Sequence, residues 1–282
     1  MIDLSTTEHF LERPGCRLRF WLSGPPDHPL VVLTHGAALD HRMFDPQVAA
    51  LAREYRVLTW DVRGHGGSRP NEGAFSIGLA ADDLAAILDK LGAASALLVG
   101  HSMGGMISQE LAFRQPERVA ALALFGCSCI TLPISRAQAL AQLIAPLSLR
   151  LASLFPYDPL VRQSSRLMAA RPEVQAQAAE MMRALARQEY WKIIAGVALS
   201  MHHEPGYRIN QPLLVIRGEH DRIGKRPSAV AAWAKRDPHL RYAVIRGAGH
   251  NANQDDPARF NALLLEFVRA HARAELHSVL LA

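Results

Sequence analysis

A serine set among glycines, followed far downstream by an aspartate and a histidine, is the combination in this sequence that points to chemistry. The serine lies in Val99-Gly100-His101-Ser102-Met103-Gly104-Gly105. A G-x-S-x-G match by itself arises by chance too readily to carry much, given average glycine usage. Its surroundings carry more. An apolar run, Ala96-Leu97-Leu98-Val99, leads straight into it, and a helical pattern from Met106 to Gln115 leads straight out. A nucleophile on such a strand-to-helix turn needs small neighbours, because the backbone is strained there and side chains would collide. The alternative for a glycine-rich turn of this kind is a phosphate loop. That would call for a lysine or a G-x-G-x-x-G spacing, and neither is present.

A serine hydroxyl attacks poorly until a base takes its proton, and that base needs a carboxylate to orient it. The chain offers Arg217-Gly218-Glu219-His220-Asp221 directly after one apolar run and Arg246-Gly247-Ala248-Gly249-His250 directly after the next. Both segments fall at the carboxyl ends of predicted strands, as Ser102 does, and ligands bind at those ends in open α/β sheets. Glu219, two residues from Asp221, is its chief competitor as the acid.

The elements that must position these residues are legible as an alternation. Short, nearly continuous apolar runs occur at Leu30–Thr34, Tyr55–Trp60, Ala96–Val99, Val119–Phe125, Pro212–Arg217 and Leu240–Ile245. Strands of this kind are buried on both faces, as in parallel sheets. Helical patterns separate them at Asp45–Glu54, Ile77–Leu91, Gly104–Gln115, Pro227–Arg236 and Pro257–Ala270, with Pro227 and Pro257 suited to first turns. Strand–helix alternation predicts a mostly parallel, doubly wound α/β sheet. Arg17–Leu22, after Glu8–Leu11, is read as an antiparallel edge. The alternation fails between Ser128 and Ile209, a stretch rich in Ala, Leu, Met and Gln and broken by prolines. The expected organisation is therefore a core of residues 1–127 and 210–282, with residues 128–209 inserted as a helical cap.

With these segments in hand, the chain resembles the α/β-hydrolase fold family. The matching pieces are His35-Gly36-Ala37, Asp61-Val62-Arg63-Gly64-His65-Gly66-Gly67-Ser68, Gly100-His101-Ser102-Met103-Gly104, Gly218-Glu219-His220-Asp221 and Gly247-Ala248-Gly249-His250, in the family's order. The resemblance implies Ser102 as nucleophile, His250 as general base and then acid, and Asp221 as the group that fixes the imidazole tautomer. It also implies an oxyanion hole from the N–H groups of Met103 and Ala37. Some relatives place the acid after the preceding strand, but Phe125-Gly126-Cys127-Ser128-Cys129 holds no carboxylate, which favours Asp221.

Other residues have duller readings. His101 should point away from Ser102 on a sharp elbow. His35 is expected to brace the turn it begins, and His65 to brace the elbow. His35, Gly36 and, from the insertion, Trp191 are also carried as candidate substrate contacts. Cys127 and Cys129 read as small buried hydrophobes. Met103, Met106, Met168, Met181, Met182 and Met201 read as packing before pocket lining.

The activity implied is acyl transfer on a carboxylic ester or lactone of small to medium, largely apolar character. Amide, peptide and C–C bond hydrolysis on the same triad remain open, as do perhydrolase or haloperoxidase side activities. Dehalogenases and epoxide hydrolases carry an aspartate where this chain has Ser102. A non-catalytic ligand-binding module on this fold is the rival from another class. No metal or organic cofactor is called for.

Composition narrows the rest. A chain of 282 residues, 49% hydrophobic and 20% charged, can bury a large core without disulfides, and its three cysteines make no disulfide or zinc framework. The net charge of +5 is spread along the chain and not blocked as a nucleic-acid footprint would be. The first residues lack a signal-peptide pattern, and no apolar run has the length of a membrane span. The expectation is a cytoplasmic monomer or homodimer acting on a small molecule, its tail from His271 to Ala282 packed on the domain or on a second subunit.

Overall fold

The computed structural model describes residues 6–132, 140, 143–144, 150–151, 153–154, 156–202, 204–224 and 227–279. Eight strands form one sheet in the order β1-β2-β4-β3-β5-β6-β7-β8. They are β1 (Thr7–Arg13), β2 (Cys16–Ser23), β3 (Leu30–Thr34), β4 (Arg56–Asp61), β5 (Ala96–His101), β6 (Val119–Phe125), β7 (Leu213–Gly218) and β8 (Arg241–Ile245). The first two make an antiparallel edge that continues antiparallel onto β4, and every later pairing is parallel. This is the mostly parallel α/β sheet with an antiparallel edge that the sequence predicted.

Burial on both faces explains why the inner strands read as continuous apolar runs. Leu30 and Val32 of β3, with Leu98 of β5, enter one core; there they meet Leu84 of α2 (Ile77–Lys90) and Ile107 of α3 (Met103–Arg114). Val31, Leu33, Leu97 and Val99 enter the opposite core. Leu51 of α1 (Asp45–Leu51) and Phe260, Leu264 and Phe267 of a long C-terminal helix (Pro257–Val279) fill that side. Strand order reverses between β3 and β5, so the turns after these two strands open onto one crevice, the place where open α/β sheets bind ligands.

Among the described residues between β6 and β7 are the helices α4 (Tyr157–Met168), α5 (Pro172–Arg183) and α6 (Arg187–Ala198). Among the described residues of this stretch there is no strand. After β7 come α7 (Pro227–Arg236), β8, the short α8 (Ala252–Asp255) and then α9, the long C-terminal helix. It runs to Val279, past the Ala270 end read from the sequence, because 271–279 contain neither glycine nor proline to stop it. Residues 280–282 of the tail lie outside the described residues. Helix α1 stops at Leu51, three residues before the expected end, and gives way to a turn in which the Tyr55 N–H bonds the Leu51 carbonyl. Among the described residues no helix is long and apolar enough to cross a membrane.

Candidate active site

Ser102 stands at the junction of β5 and α3 with φ 49° and ψ −111°, a conformation side chains rarely adopt. Such a residue costs about 1–3 kcal/mol and persists only where its surroundings over-determine it. Here the Ser102 N–H bonds the Phe125 carbonyl of β6 at 2.8 Å, and the Met106 N–H bonds the Ser102 carbonyl at 3.1 Å. Two glycines make the turn possible. A Cβ on Gly100 would lie 2.6 Å from the Gly105 backbone, and one on Gly104 would lie 2.1 Å from the Thr34 carbonyl oxygen.

His250 follows β8 and Asp221 follows β7. The His250 Nδ1–H donates to Asp221 Oδ1 at 3.0 Å, with both side chains almost fully buried. The same oxygen accepts the N–H groups of Ile223 at 2.9 Å and Gly224 at 2.8 Å. Burial alone would raise the Asp221 pKa. The hydrogen bond and charge of His250, with the two backbone donors, outweigh burial and bring it down to about 2. Asp221 is therefore ionised across the neutral range and fixes the proton of His250 on Nδ1, leaving Nε2 as a base. Glu219, the competing acid, is exposed and spends a carboxylate oxygen on the Gly247 N–H at 2.9 Å.

Gly126 places the pieces together. A Cβ there would fall 3.0 Å from His250 Nδ1 and 3.2 Å from His101 Nε2, and a Cβ on Gly36 would fall 3.4 Å from the Ser102 Cβ. The turns after β3, β5, β6 and β8 thus converge on one spot. The hydrogen bond seen on the His250 ring is the one to Asp221, and catalytic serine–histidine bonds are often long without substrate.

His101 turns its ring toward His250. Its ring meets that of His250 edge to face with centroids 4.6 Å apart, and its Nε2–H reaches the His250 carbonyl at 3.3 Å. Burial holds its pKa well below the ordinary value, so it packs there uncharged. The sequence reading missed this contact.

The turn after β3 is built from histidines. The Val62 N–H donates to His35 Nε2 at 3.0 Å, so the His35 Nδ1–H faces the Gly36 carbonyl at 2.8 Å. The Ala38 N–H donates to His65 Nε2 at 3.1 Å, and His65 Nδ1 faces the Val62 and Arg63 carbonyls. Ala38 itself has φ 61°. Holding Ala38 in this way leaves the N–H of Ala37 for other use, and the Met103 N–H is one of the unbonded donors at the start of α3.

Two expectations need correction. His35 is fully buried with both ring nitrogens engaged, so it braces the turn and has no atom to offer a substrate. His65 braces the 36–39 turn, not the elbow, because its free lone pair faces Ala38. Trp191 of α6 lines a groove of about 770 Å³ with Arg150, Leu154, Arg187 and Lys192, and none of Ser102, Asp221 or His250 lines it. Gly36 does lie against Ser102 and His101. Cys127 and Cys129 are buried free thiols whose pKa values burial raises, in keeping with small hydrophobes. Met103, Met181 and Met182 are core residues.

One cluster among the described residues, Asp40, His41 and Asp61, brings metal-ligand atoms within 4.8 Å of one another. Its oxygens are already committed. Asp40 binds the Arg42 side chain, while Asp61 accepts from His41 and from the Gly67 N–H. That donor set ties loops together and is a poor match for a cation.

The family model described as alpha/beta hydrolase fold matches residues 29–257. The chain belongs to the α/β-hydrolase fold family. It is similar to 3-oxoadipate enol-lactonase 1 of Acinetobacter baylyi, 28% identical over 92% of this chain and 95% of that protein. Among solved structures, a hydrolase from Pseudomonas aeruginosa superposes with a TM-score of 0.79 at 26% identity, covering 93% of this chain and 98% of that one. An esterase from Thermogutta terrifontis gives a TM-score of 0.79 at 25% identity, covering 95% and 99%.

Proposed function

We propose that this α/β hydrolase cleaves a carboxylic ester or lactone of small to medium, largely apolar character through an acyl-enzyme on Ser102. The observation that carries the reading is the 3.0 Å bond between buried Asp221 and His250, beside a serine held at positive φ. His250 Nε2 takes the hydroxyl proton as Oγ adds to the carbonyl carbon, and the oxyanion forms toward the N–H groups of Ala37 and Met103. As the tetrahedral intermediate collapses, the carbon–oxygen bond to the leaving alcohol breaks and His250 returns the proton to that oxygen. Water, deprotonated by the same nitrogen, then attacks the acyl carbon; Ser102 leaves and recovers its proton. With a lactone, the leaving alcohol stays tethered to the acid released. Similarity to an enol-lactonase and an esterase supports this bond class.

Residues 128–209 are assigned as a cap over this chemistry, inserted into a core of residues 1–127 and 210–282. The apolar side chains that their helices carry, Leu160, Met168 and Trp191 among them, suit an acyl or alcohol group. The test is labelling of folded protein with a fluorophosphonate probe, alongside turnover of p-nitrophenyl esters of increasing acyl length. A Ser102 adduct, turnover abolished in Ser102→Ala, and rates that rise beyond acetyl are expected. Undiminished turnover in Ser102→Ala would refute the assignment.

A further inference from the structure

The loop that carries His250 is held by groups other than Asp221. Asp255, five residues on, is the first of two adjacent acids before Pro257. Asp256 has the ordinary task, accepting the Arg259 N–H at 3.0 Å at the start of α9. Asp255 does something else. Its Oδ2 accepts the Gly249 N–H at 2.7 Å, from the residue just before His250. The same oxygen accepts the Ala170 N–H at 2.9 Å, and Oδ1 accepts the Arg171 N–H at 3.0 Å. Ala170 and Arg171 form the turn between α4 and α5 of the insertion.

The other side of His250 is tied to the same turn. The Asn251 N–H donates to the Met168 carbonyl at 2.6 Å, and the Gln254 side chain bonds that of Gln177 in α5 at 2.7 Å. Gly249 lies so close that a Cβ on it would sit 3.0 Å from the backbone of Ala169 and Ala170. The residues on both sides of the imidazole thus hang from the insertion, one directly and one through a carboxylate. The Arg171 guanidinium is taken by Glu173, so what Asp255 receives from this residue is its main-chain donor.

We propose that Asp255 is a positioning residue that clasps the turn 168–171 of the insertion to the His250 loop, so that the seating of one fixes the other; this rests on His250 acting as the base. A carboxylate suits the role because two acceptor oxygens with no donor satisfy three N–H groups from two segments at once. Loosening it lets the loop drift. A shift of about 1 Å at a catalytic group costs about 10²-fold in rate.

Asp255→Asn is the direct test, because an amide of the same shape turns one of its two faces into a donor and must abandon at least one N–H. With p-nitrophenyl acetate, whose acyl group is too short to depend on cap contacts, kcat should fall about 10- to 100-fold with KM changed by less than about twofold. The far-downfield proton signal of the His250 Nδ1–H should broaden or vanish. A lowered melting temperature with kcat and that signal both intact would mean structural support alone and would overturn the clasp. Ala170→Pro removes only the insertion's N–H from Oδ2, at an exposed position preceded by an extended residue. It should lower kcat in the same direction and by less, and an unchanged kcat there also counts against the proposal should Asp255→Asn fail to fold. Ser102→Ala separates the two readings. Activity surviving in it defeats the serine mechanism, whereas loss in Ser102→Ala with full kcat in Asp255→Asn defeats the clasp alone.

Discussion

The Nε2–H of His101 reaches the main-chain carbonyl of His250 across 3.3 Å, and the two rings meet edge to face. The residue before Ser102 therefore supports the backbone of His250. His101→Leu keeps the volume and removes the donor, leaving a buried carbonyl without its partner, a loss of about 1–3 kcal/mol. We expect kcat to fall about tenfold, equal to about 1.4 kcal/mol of barrier, while fluorophosphonate still labels Ser102. Wild-type kcat in this variant would reduce the contact to packing.

Asp221→Asn addresses the other partner of the base. Its shape is kept, but an amide nitrogen facing Nδ1 favours the tautomer with the proton on Nε2, which cannot accept from serine. The expected loss in kcat is about 10⁴-fold with little change in KM. The matching Glu219→Gln should retain activity, since Glu219 is exposed and engaged with Gly247. Steady-state kinetics on both variants would reverse the acid assignment if the losses were exchanged.

The strands and the three catalytic candidates were legible because one physical cause shaped both. Strands buried on two faces are apolar without interruption, and the turns at their carboxyl ends need glycines wherever backbones approach closely, as at Gly100 and Gly104. His101 carried a signal that was not used. Leu97 and Val99 enter the core that also holds Phe125, Ala248 and Ala252, and the two-residue period of β5 puts His101 on that same face. Asp255 carried none. Asp255 and Asp256 are alike in type and neighbourhood, and only the folded contacts, to Gly249 and to Ala170 85 positions away along the chain, tell them apart.

The oxyanion turn offers a backbone test. Ala37→Pro deletes the N–H assigned to the oxyanion and should lower kcat about 10²–10³-fold. Ala38→Gly is the contrasting change. At φ 61° glycine is at ease where alanine is not, so this variant should keep its stability or gain about 0.5–1 kcal/mol and stay active. Denaturant melts and kinetics on the pair separate a lost donor from a disturbed turn. Equal activity in both variants would remove Ala37 from the site.

Acid should unfold this protein through its buried histidines. Burial first, and then the neighbouring His35, lowers the His65 pKa from the ordinary 6.5 to about 3. Burial also lowers those of His35 and His101. Above pH 6.5 each ring is neutral whether the chain is folded or not, and pH has no leverage through them. Below it the unfolded chain binds protons that the folded one refuses, so stability falls by up to about 1.4 kcal/mol per pH unit for each ring. His65 must refuse its proton, because an Nε2–H cannot accept from the Ala38 N–H. Asp221 adds a second loss lower down: its stabilisation is complete above the ordinary 3.8 and disappears as pH falls through about 2. Urea midpoints taken at pH 7, 6 and 5 should therefore drop progressively. The fall should be shallower in His101→Leu, which has one such ring fewer. Midpoints unchanged from pH 7 to 5 would mean that these rings take up protons inside the fold, and the histidine bracing of the 35–39 turn would have to be abandoned.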